Sequence, residues 1–318
     1  MNVKEKTMTK EYLRWGIIGC GNVCERKSGP PLQNLPHCRL LAVTRRDPVA
    51  GRDFAQRFSC DYEPSIESLL QRADIDAVYI ASPDALHHEH TLACAAAGKM
   101  VLVEKAMASN AQQCDAMIAA CQERDLPLAV AYYRRCYPSI LRAQQLLEEG
   151  AIGRPQRLWM NDQFPTSHRI DLAHFFFADG ESVRVDAGAL PPDSHADHGN
   201  ILQVRHGNGA VSVMNVDWRE NHDVERVIID GSAGRLVIDD LKAGRMWLID
   251  EKGKAQEHHQ PPLPWTHQGL MDQVAACFLG RATNPCDGQE GRKSTVILDA
   301  IAQAVETDGW CLLDYRSG

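Results

Sequence analysis

The chain has 318 residues, room for two domains at about 150 residues each and too many for one small binding module. Its 34 Lys and Arg stand against 42 Asp and Glu, a formal net charge of -8 that repels polyanions at long range and excludes DNA or RNA as the expected partner. Hydrophobic residues at 44% and charged residues at 24% exclude a disordered chain. No uncharged apolar run approaches the roughly 18–20 residues that cross a bilayer. The first ten residues carry Lys4, Lys6 and Lys10 with no apolar segment behind them, so residues 1–12 read as a tail and not as a signal peptide. Eleven cysteines, an odd number with no CxxC pair, fit free thiols in a reducing cytoplasm.

From residue 13 to 131 short apolar runs alternate with helical stretches. Leu13–Ile18, Leu40–Val43, Ala77–Ile80, Met100–Val103 and Leu128–Ala131 read as strands, and Val49–Phe58, Ser65–Arg72, His87–Ala97 and Ala111–Arg124 as helices. Strands apolar on both faces and separated by helices predict a doubly wound parallel sheet, an α/β domain. Residues 132–318 change pattern. A helix over Pro138–Glu149 precedes strands at Gln156–Asn161, Ser182–Ala187, Ile201–His206, Ala210–Trp218, Glu225–Asp230, Arg235–Ile238 and Met246–Ile249. Short turns between them predict an α+β domain with a large open, mostly antiparallel sheet. A Pro-rich loop, Gln260–Pro264, follows the pair His258-His259, which reads as solvated; helices over His267–Phe278 and Ser294–Asp308 end the chain. Residues 1–131 hold 15 basic and 16 acidic side chains, so the acidic excess lies in the second domain and the first is the better host for an anion.

The first strand runs into Gly19-Cys20-Gly21-Asn22-Val23-Cys24. Two glycines at this spacing let the backbone turn tightly and bring N–H groups against a pyrophosphate at a helix N-terminus. Cys24 stands where the dinucleotide fingerprint has its third glycine. Cys20 and Cys24 read as small packing residues rather than as activated thiols. An acidic residue at the end of the second strand would bind the adenosine ribose and repel a 2′-phosphate; this chain has Thr44-Arg45-Arg46, whose hydroxyl and guanidiniums suit the phosphate of NADP, with NAD as the other possibility if Asp47 holds the ribose. Ser82-Pro83-Asp84 with His87, and Glu104-Lys105, end parallel strands and so border the same crevice. Lys105 could donate a proton or hydrogen bond to a substrate oxygen during hydride transfer. His87 and His90 share a helix face but lack further ligands, so no metal is expected. Trp159, Trp218 and Trp247 fall in strand patterns and read as sheet packing.

Gly16 to Val23, Ser82-Pro83-Asp84 with His87, Ala97 to Lys105, Tyr133-Arg134-Arg135 and Gly150 to Gly153 together resemble the Gfo/Idh/MocA oxidoreductase family, that of glucose-fructose oxidoreductase and inositol dehydrogenase. The resemblance runs from Arg14 over nearly the whole chain. It implies an N-terminal Rossmann domain, a C-terminal domain with an open sheet through which homodimers or homotetramers form, and NAD(P)-dependent redox chemistry on sugars, polyols or related carbonyls. It also implies site residues. Gly19, Gly21, Asn22 and Val23 would approach the pyrophosphate, with Thr44, Arg45 and Arg46 on the 2′-phosphate. Ser82, Pro83, His87, Glu104 and Lys105 would frame the nicotinamide side. Lys105 and His168 would be catalytic, and Lys105, Arg134, His168 and Asp171 would meet the substrate.

Two departures stand out. The Glu-Lys-Pro motif of the family is Glu104-Lys105-Ala106 here. Family members carry an Asp four residues before the catalytic His and another three after it; Asp171 fills the second place, but Phe164 stands in the first, and only Asn161 to Ser167 remain where a glycine-rich stretch is expected. Asp162 is a nearby carboxylate. The truncation motivates a second expectation, a catalytically impaired member that binds dinucleotide as a sensor or assembly subunit.

Overall fold

The computed structural model describes residues 10–161, 166–187, 200–215, 225–307 and 309–316. Asp162, Phe164 and Trp218 lie outside them, as does most of the expected tail. The chain forms two compact units, residues 1–104, 116–131 and 265–287 in one, and 105–115, 132–264 and 288–318 in the other.

The first unit is built on β1 (Leu13–Ile18), β2 (Cys38–Thr44), β3 (Asp61–Tyr62), β4 (Ala77–Ile80), β5 (Met100–Val103) and β6 (Leu128–Val130), with helices α1 (Gly29–Asn34), α2 (Pro48–Arg57), α3 (Ile66–Leu70), α4 (His87–Ala96) and, from residue 116, α5 (Ala111–Gln122) between them. The strands run parallel in the order β3-β2-β1-β4-β5-β6. Every residue of β4 is fully buried, as the apolar text required of a central strand. Strand order reverses between β1 and β4, and a crevice opens at that switch point beyond the carboxyl ends. α1 and β3 were not anticipated: a Gly-Pro-Pro opening and a two-residue strand carry no periodic signal.

The opposite end of this sheet is tied by charge. Asp76, just before β4, accepts from the Arg14 backbone (3.1 Å), from Arg14 Nε (2.9 Å) and Nη2 (2.7 Å), and from Lys10 Nζ (2.5 Å). Burial alone would raise its pKa; the Arg14 and Lys10 hydrogen bonds outweigh it and hold Asp76 down to about 2. Lys99 is buried with its ammonium on the carbonyls of Arg72 (2.7 Å) and Ile75 (2.9 Å), which closes the turn before β4.

The second unit contains α6 (Pro138–Glu148), β7 (Pro155–Asn161), α7 (Thr166–Phe176), β8 (Gly180–Ala187), β9 (Asn200–His206), β10 (Val211–Asn215), β11 (Arg226–Gly231), β12 (Gly234–Asp240), β13 (Arg245–Asp250) and β14 (Ala255–His259). After these, α8 (Gln268–Phe278) packs in the first unit, and α9 (Gly288–Thr307) and β15 (Cys311–Leu312) complete the second. Its nine-stranded sheet has the order β14-β13-β12-β11-β7-β10-β9-β8-β15. Among the described residues the pairing is antiparallel except between β7 and β10, which run parallel. Leu158, Val204, Met214, Ile229 and Ile238 of alternate positions join Ile140 of α6, Ile170 of α7 and Ile297 of α9 in one apolar core.

His258 and His259 lie in β14, an edge strand whose polar text hides its pairing with β13, and His259 is exposed, in keeping with the solvated reading. The last helix starts six residues earlier than Ser294, because its polar first turns are anchored by Arg292 on Asp115 (2.6 and 2.9 Å). Trp159 is 37% exposed on the sheet face away from the core, in register with Ile228 and Val213 and with its indole N–H on Asp230 (3.1 Å).

Asp76→Asn should lower the melting temperature at neutral pH. Since the folded pKa lies below the ordinary 3.8, the stabilisation is complete above that value and lost as pH falls through about 2. Thermal scans of wild type and variant should therefore differ by a constant amount at neutral and mildly acidic pH and converge toward pH 2.

Candidate dinucleotide cleft and buried histidine helix

Gly19 turns the chain out of β1 at φ +89°, and a Cβ built there would lie 2.7 Å from the Ser82 nitrogen and 2.8 Å from its Cα. Only glycine permits this backbone-on-backbone approach. The loop is held by Gly19 N–H on the Thr44 carbonyl (2.9 Å) and Gly21 N–H on the Gly19 carbonyl (2.8 Å). Cys24 is fully buried beneath it, which is why a small residue suffices at the third fingerprint position. Burial raises the Cys20 thiol to about 11 and Cys24 higher still, so neither is activated. Asn22 and Val23 are exposed at the helix entry.

A cleft of about 640 Å³ opens over this loop, lined by Gly19 and Gly21, by Thr44, Arg45, Arg46 and Asp47, by Pro64, Ser65 and Ile66, and by Ser82, Pro83, Leu86 and His90. The structure thus brings together the glycine loop, the arginine pair and the Ser82-Pro83 turn. Arg45 donates from Nη1 to the Cys20 carbonyl (3.1 Å), folding over the loop, while Arg46 is exposed. Asp47 caps α2, its Oδ1 accepting from the N–H groups of Val49 (3.0 Å) and Ala50 (3.2 Å). One carboxylate oxygen is therefore spent on the helix.

Other expected residues sit differently. His87 is fully buried and donates from Nε2 to the Ser82 carbonyl (2.9 Å); it is His90 that lines the cleft, with Nδ1 on Ser82 Oγ (2.9 Å). Glu104 is buried with its carboxylate accepting from Tyr79 Oη (2.5 Å), and His267 Nδ1 stands 3.9 Å away. Lys105, half-buried, follows directly, and the Lys105–Ala106 peptide is cis. Among the described residues no group of three or more His, Cys, Asp or Glu side chains could hold a metal ion.

In the second unit α7 carries His168 and Asp171 one turn apart. The His168 ring is 1% exposed and meets Tyr133 edge-on (centroids 4.6 Å) and Tyr132 (5.8 Å). Asp171 is fully buried and accepts from Arg135 Nε (2.8 Å); burial pushes its carboxyl up to about 6 against the pull of that guanidinium. Arg134 donates to Glu225 (2.6 Å), and both are buried. The Tyr133-Arg134-Arg135 segment thus supplies an aromatic wall for His168 and two buried cations that bind carboxylates. Sequence reading missed Arg135, His90 and Tyr79. His90 is legible from sequence only as a helix-face neighbour of His87, whereas the Arg135–Asp171 pair, 36 residues apart, has no local signal.

Arg135→Met leaves Asp171 buried without its cation and should cost roughly 3–5 kcal/mol. The double variant Arg135→Met/Asp171→Leu removes both charges and should regain most of that loss; urea midpoints of the three proteins measure it.

Comparison with known proteins places these features. Residues 13–132 match the family model described as an oxidoreductase family with an NAD-binding Rossmann fold, and residues 165–237 match the GFO/IDH/MocA C-terminal domain. Oxidoreductase P35 of Formosa agariphila is 27% identical over 320 residues, 91% of this chain and 98% of that protein. The 2,7-anhydro-N-acetylneuraminate hydratase of Mediterraneibacter gnavus is 33% identical over 275 residues, 77% of this chain and 71% of its own length. The crystal structure of the WlbA dehydrogenase from Bordetella pertussis, in complex with NADH and UDP-GlcNAcA, shares the fold with a TM-score of 0.82 at 22% identity, over 96% of this chain and 99% of that one. The chain belongs to the GFO/IDH/MocA family of NAD(P)-dependent oxidoreductases.

Proposed function

We propose that this oxidoreductase moves a hydride between a nicotinamide dinucleotide, NADP in preference to NAD, and a hydroxyl or carbonyl carbon of a sugar or polyol in the cytoplasm. The observation that carries the cofactor preference is the placement of Thr44, Arg45 and Arg46 on the wall of the cleft that Gly19 opens, with an Asp47 oxygen engaged as a helix cap. A 2′-phosphate needs cationic donors there, and a free carboxylate would repel it. The fit of a dinucleotide rests on the Gly19 cradle, where a side chain would collide with the Ser82 backbone. Gly19, Gly21, Asn22 and Val23 would hold the pyrophosphate, and Ser82 and Pro83 the nicotinamide side, with His87 and Glu104 behind them. When bound, the nicotinamide supplies or accepts the hydride.

Lys105 would donate a hydrogen bond to the reacting oxygen and stabilise the charge that develops on it, with His168 exchanging the proton. Arg134 and Asp171, each engaged with a buried partner of opposite charge, would shape the substrate pocket through those pairs. The sugar class is supported by the names of similar proteins, one acting on an anhydro sugar acid and one bound to a sugar nucleotide. Self-association would use the outward face of the nine-stranded sheet, where Trp247, Val237, Ile228, Trp159 and Val213 follow one another in register as an apolar row across five strands.

A second reading, a dinucleotide-binding sensor or assembly subunit, is favoured by the near-complete burial of His168. The two separate on turnover. NADPH should bind more tightly than NADH, and Arg45→Ala/Arg46→Ala should erase the difference, a loss of roughly tenfold or more in NADPH affinity. Equal affinities in wild type would remove the preference. Across sugars, inositols and keto-sugars, Lys105→Met should cut kcat/KM at least about 100-fold while dinucleotide affinity stays within a few fold. Binding without turnover on any of them would leave the sensor reading.

A further inference from the structure

Ser82 is fixed from three directions. Its backbone occupies the space that a side chain on Gly19 would need, its carbonyl accepts from His87, and its hydroxyl meets Nδ1 of His90 at 2.9 Å. Of the two histidines His87 is fully buried, whereas His90 lines the cleft with Ser82. An imidazole at the wall of a cleft for a dinucleotide faces an incoming ligand whose pyrophosphate is anionic throughout the physiological pH range. None of the residues expected from the sequence includes it.

The hydrogen-bond chemistry of the pair depends on charge. In the neutral ring one nitrogen donates and the other accepts, so Ser82 and His90 share a single hydrogen between Oγ and Nδ1. With a proton added, both ring nitrogens donate. Nδ1–H then turns to Ser82 Oγ, and the serine hydroxyl hydrogen is released to donate elsewhere. One proton thus gives the cleft a cation and frees a hydroxyl donor, both of the sign that an anion selects.

We propose that His90 is a dinucleotide-binding residue that takes up a proton as the ligand enters, coupling affinity to pH through the Ser82–His90 pair. This rests on the reading of the cleft as a dinucleotide site. In the free protein burial, chiefly, and the neighbouring His87 hold the His90 pKa below its ordinary 6.5, with Glu89 on the same helix opposing them. The other cleft walls carry Arg45, Arg46 and Asp47, and Asp84 stands in the turn before α4. A pyrophosphate arriving at the Gly19 loop, against which the Ser82 backbone packs, raises the pKa. Affinity gained in this way is complete below the free-protein pKa and lost as pH rises through the pKa of the complex. Between the two it changes by at most about tenfold per pH unit.

The test is calorimetry of NAD+ binding to the full chain from about pH 5 to 8. NAD+ lacks the 2′-phosphate, whose own titration near pH 6 would confound NADP. Wild type should lose roughly three- to tenfold in affinity across that range. At pH 6 its binding heat should differ between buffers of unequal ionisation enthalpy, reporting a fraction of a proton taken up. His90→Asn keeps an amide at the Nδ1 position for Ser82 but cannot titrate, so its affinity should be flat and its proton uptake absent. Ser82→Ala should lower affinity more at acid than at alkaline pH. Wild-type binding with flat affinity and no uptake overturns the proposal alone, as does His90→Asn retaining the full pH slope. Absence of NAD+ and NADP binding at every pH overturns the dinucleotide reading and the proposal with it. The wild-type uptake measurement decides the matter even where a variant fails to fold.

Discussion

The contact on which the cleft depends is the approach of Gly19 to the backbone of Ser82. Because no side chain intervenes, the end of β1 lies directly against the end of β4, the two strands between which the sheet order reverses. That closeness places the glycine loop, the Ser82-Pro83 turn and the arginine pair around one volume, and it seats Ser82 where both histidines of α4 can reach it. A larger residue at position 19 would separate the loop from the turn and with it the two sides of the cleft.

Charge is handled differently in the two units. In the first, ionic groups tie the end of the sheet opposite the cleft: Asp76 draws in Arg14 and Lys10 at partly exposed positions where water still solvates the cations. In the second, Arg135 with Asp171 and Arg134 with Glu225 are buried outright. Removing either partner of a buried pair leaves an uncompensated buried charge, so the pairs hold the chain where they stand. Here what they hold is the short segment that also presents Tyr132 and Tyr133 to His168.

The first sheet was legible in the sequence because its strands are apolar on both faces; Leu13–Ile18, Ala77–Ile80 and Met100–Val103 end where the text says they do. The second was legible as alternating strands, but not its order, since nothing local tells β7 to pair in parallel with β10. Polar edges such as β14 carry no hydrophobic signal at all. At the cleft, the motif residues Gly19, Gly21 and Ser82 lie together, because a motif records where the backbone must come close. It says less of side chains whose direction is set by tertiary partners. Glu104 borders the crevice by its place after β5, yet its carboxylate is drawn to Tyr79, a residue of the neighbouring strand. His87 and His90 are three residues apart on one helix, and only packing decides which is enclosed.

The return of residues 265–287 to the first unit bears on how the chain is made. α8 lays Phe278 against Trp15 of β1 (5.9 Å between centroids), and the Val130 N–H pairs with the Cys286 carbonyl (2.9 Å) beside β6. The nucleotide-binding half is therefore not finished when its own strands have left the ribosome. Its outermost strand and the indole of its first strand wait for a segment translated more than 130 residues after β6 ends, so that during synthesis the second half of the polypeptide emerges while the first still lacks a covering helix.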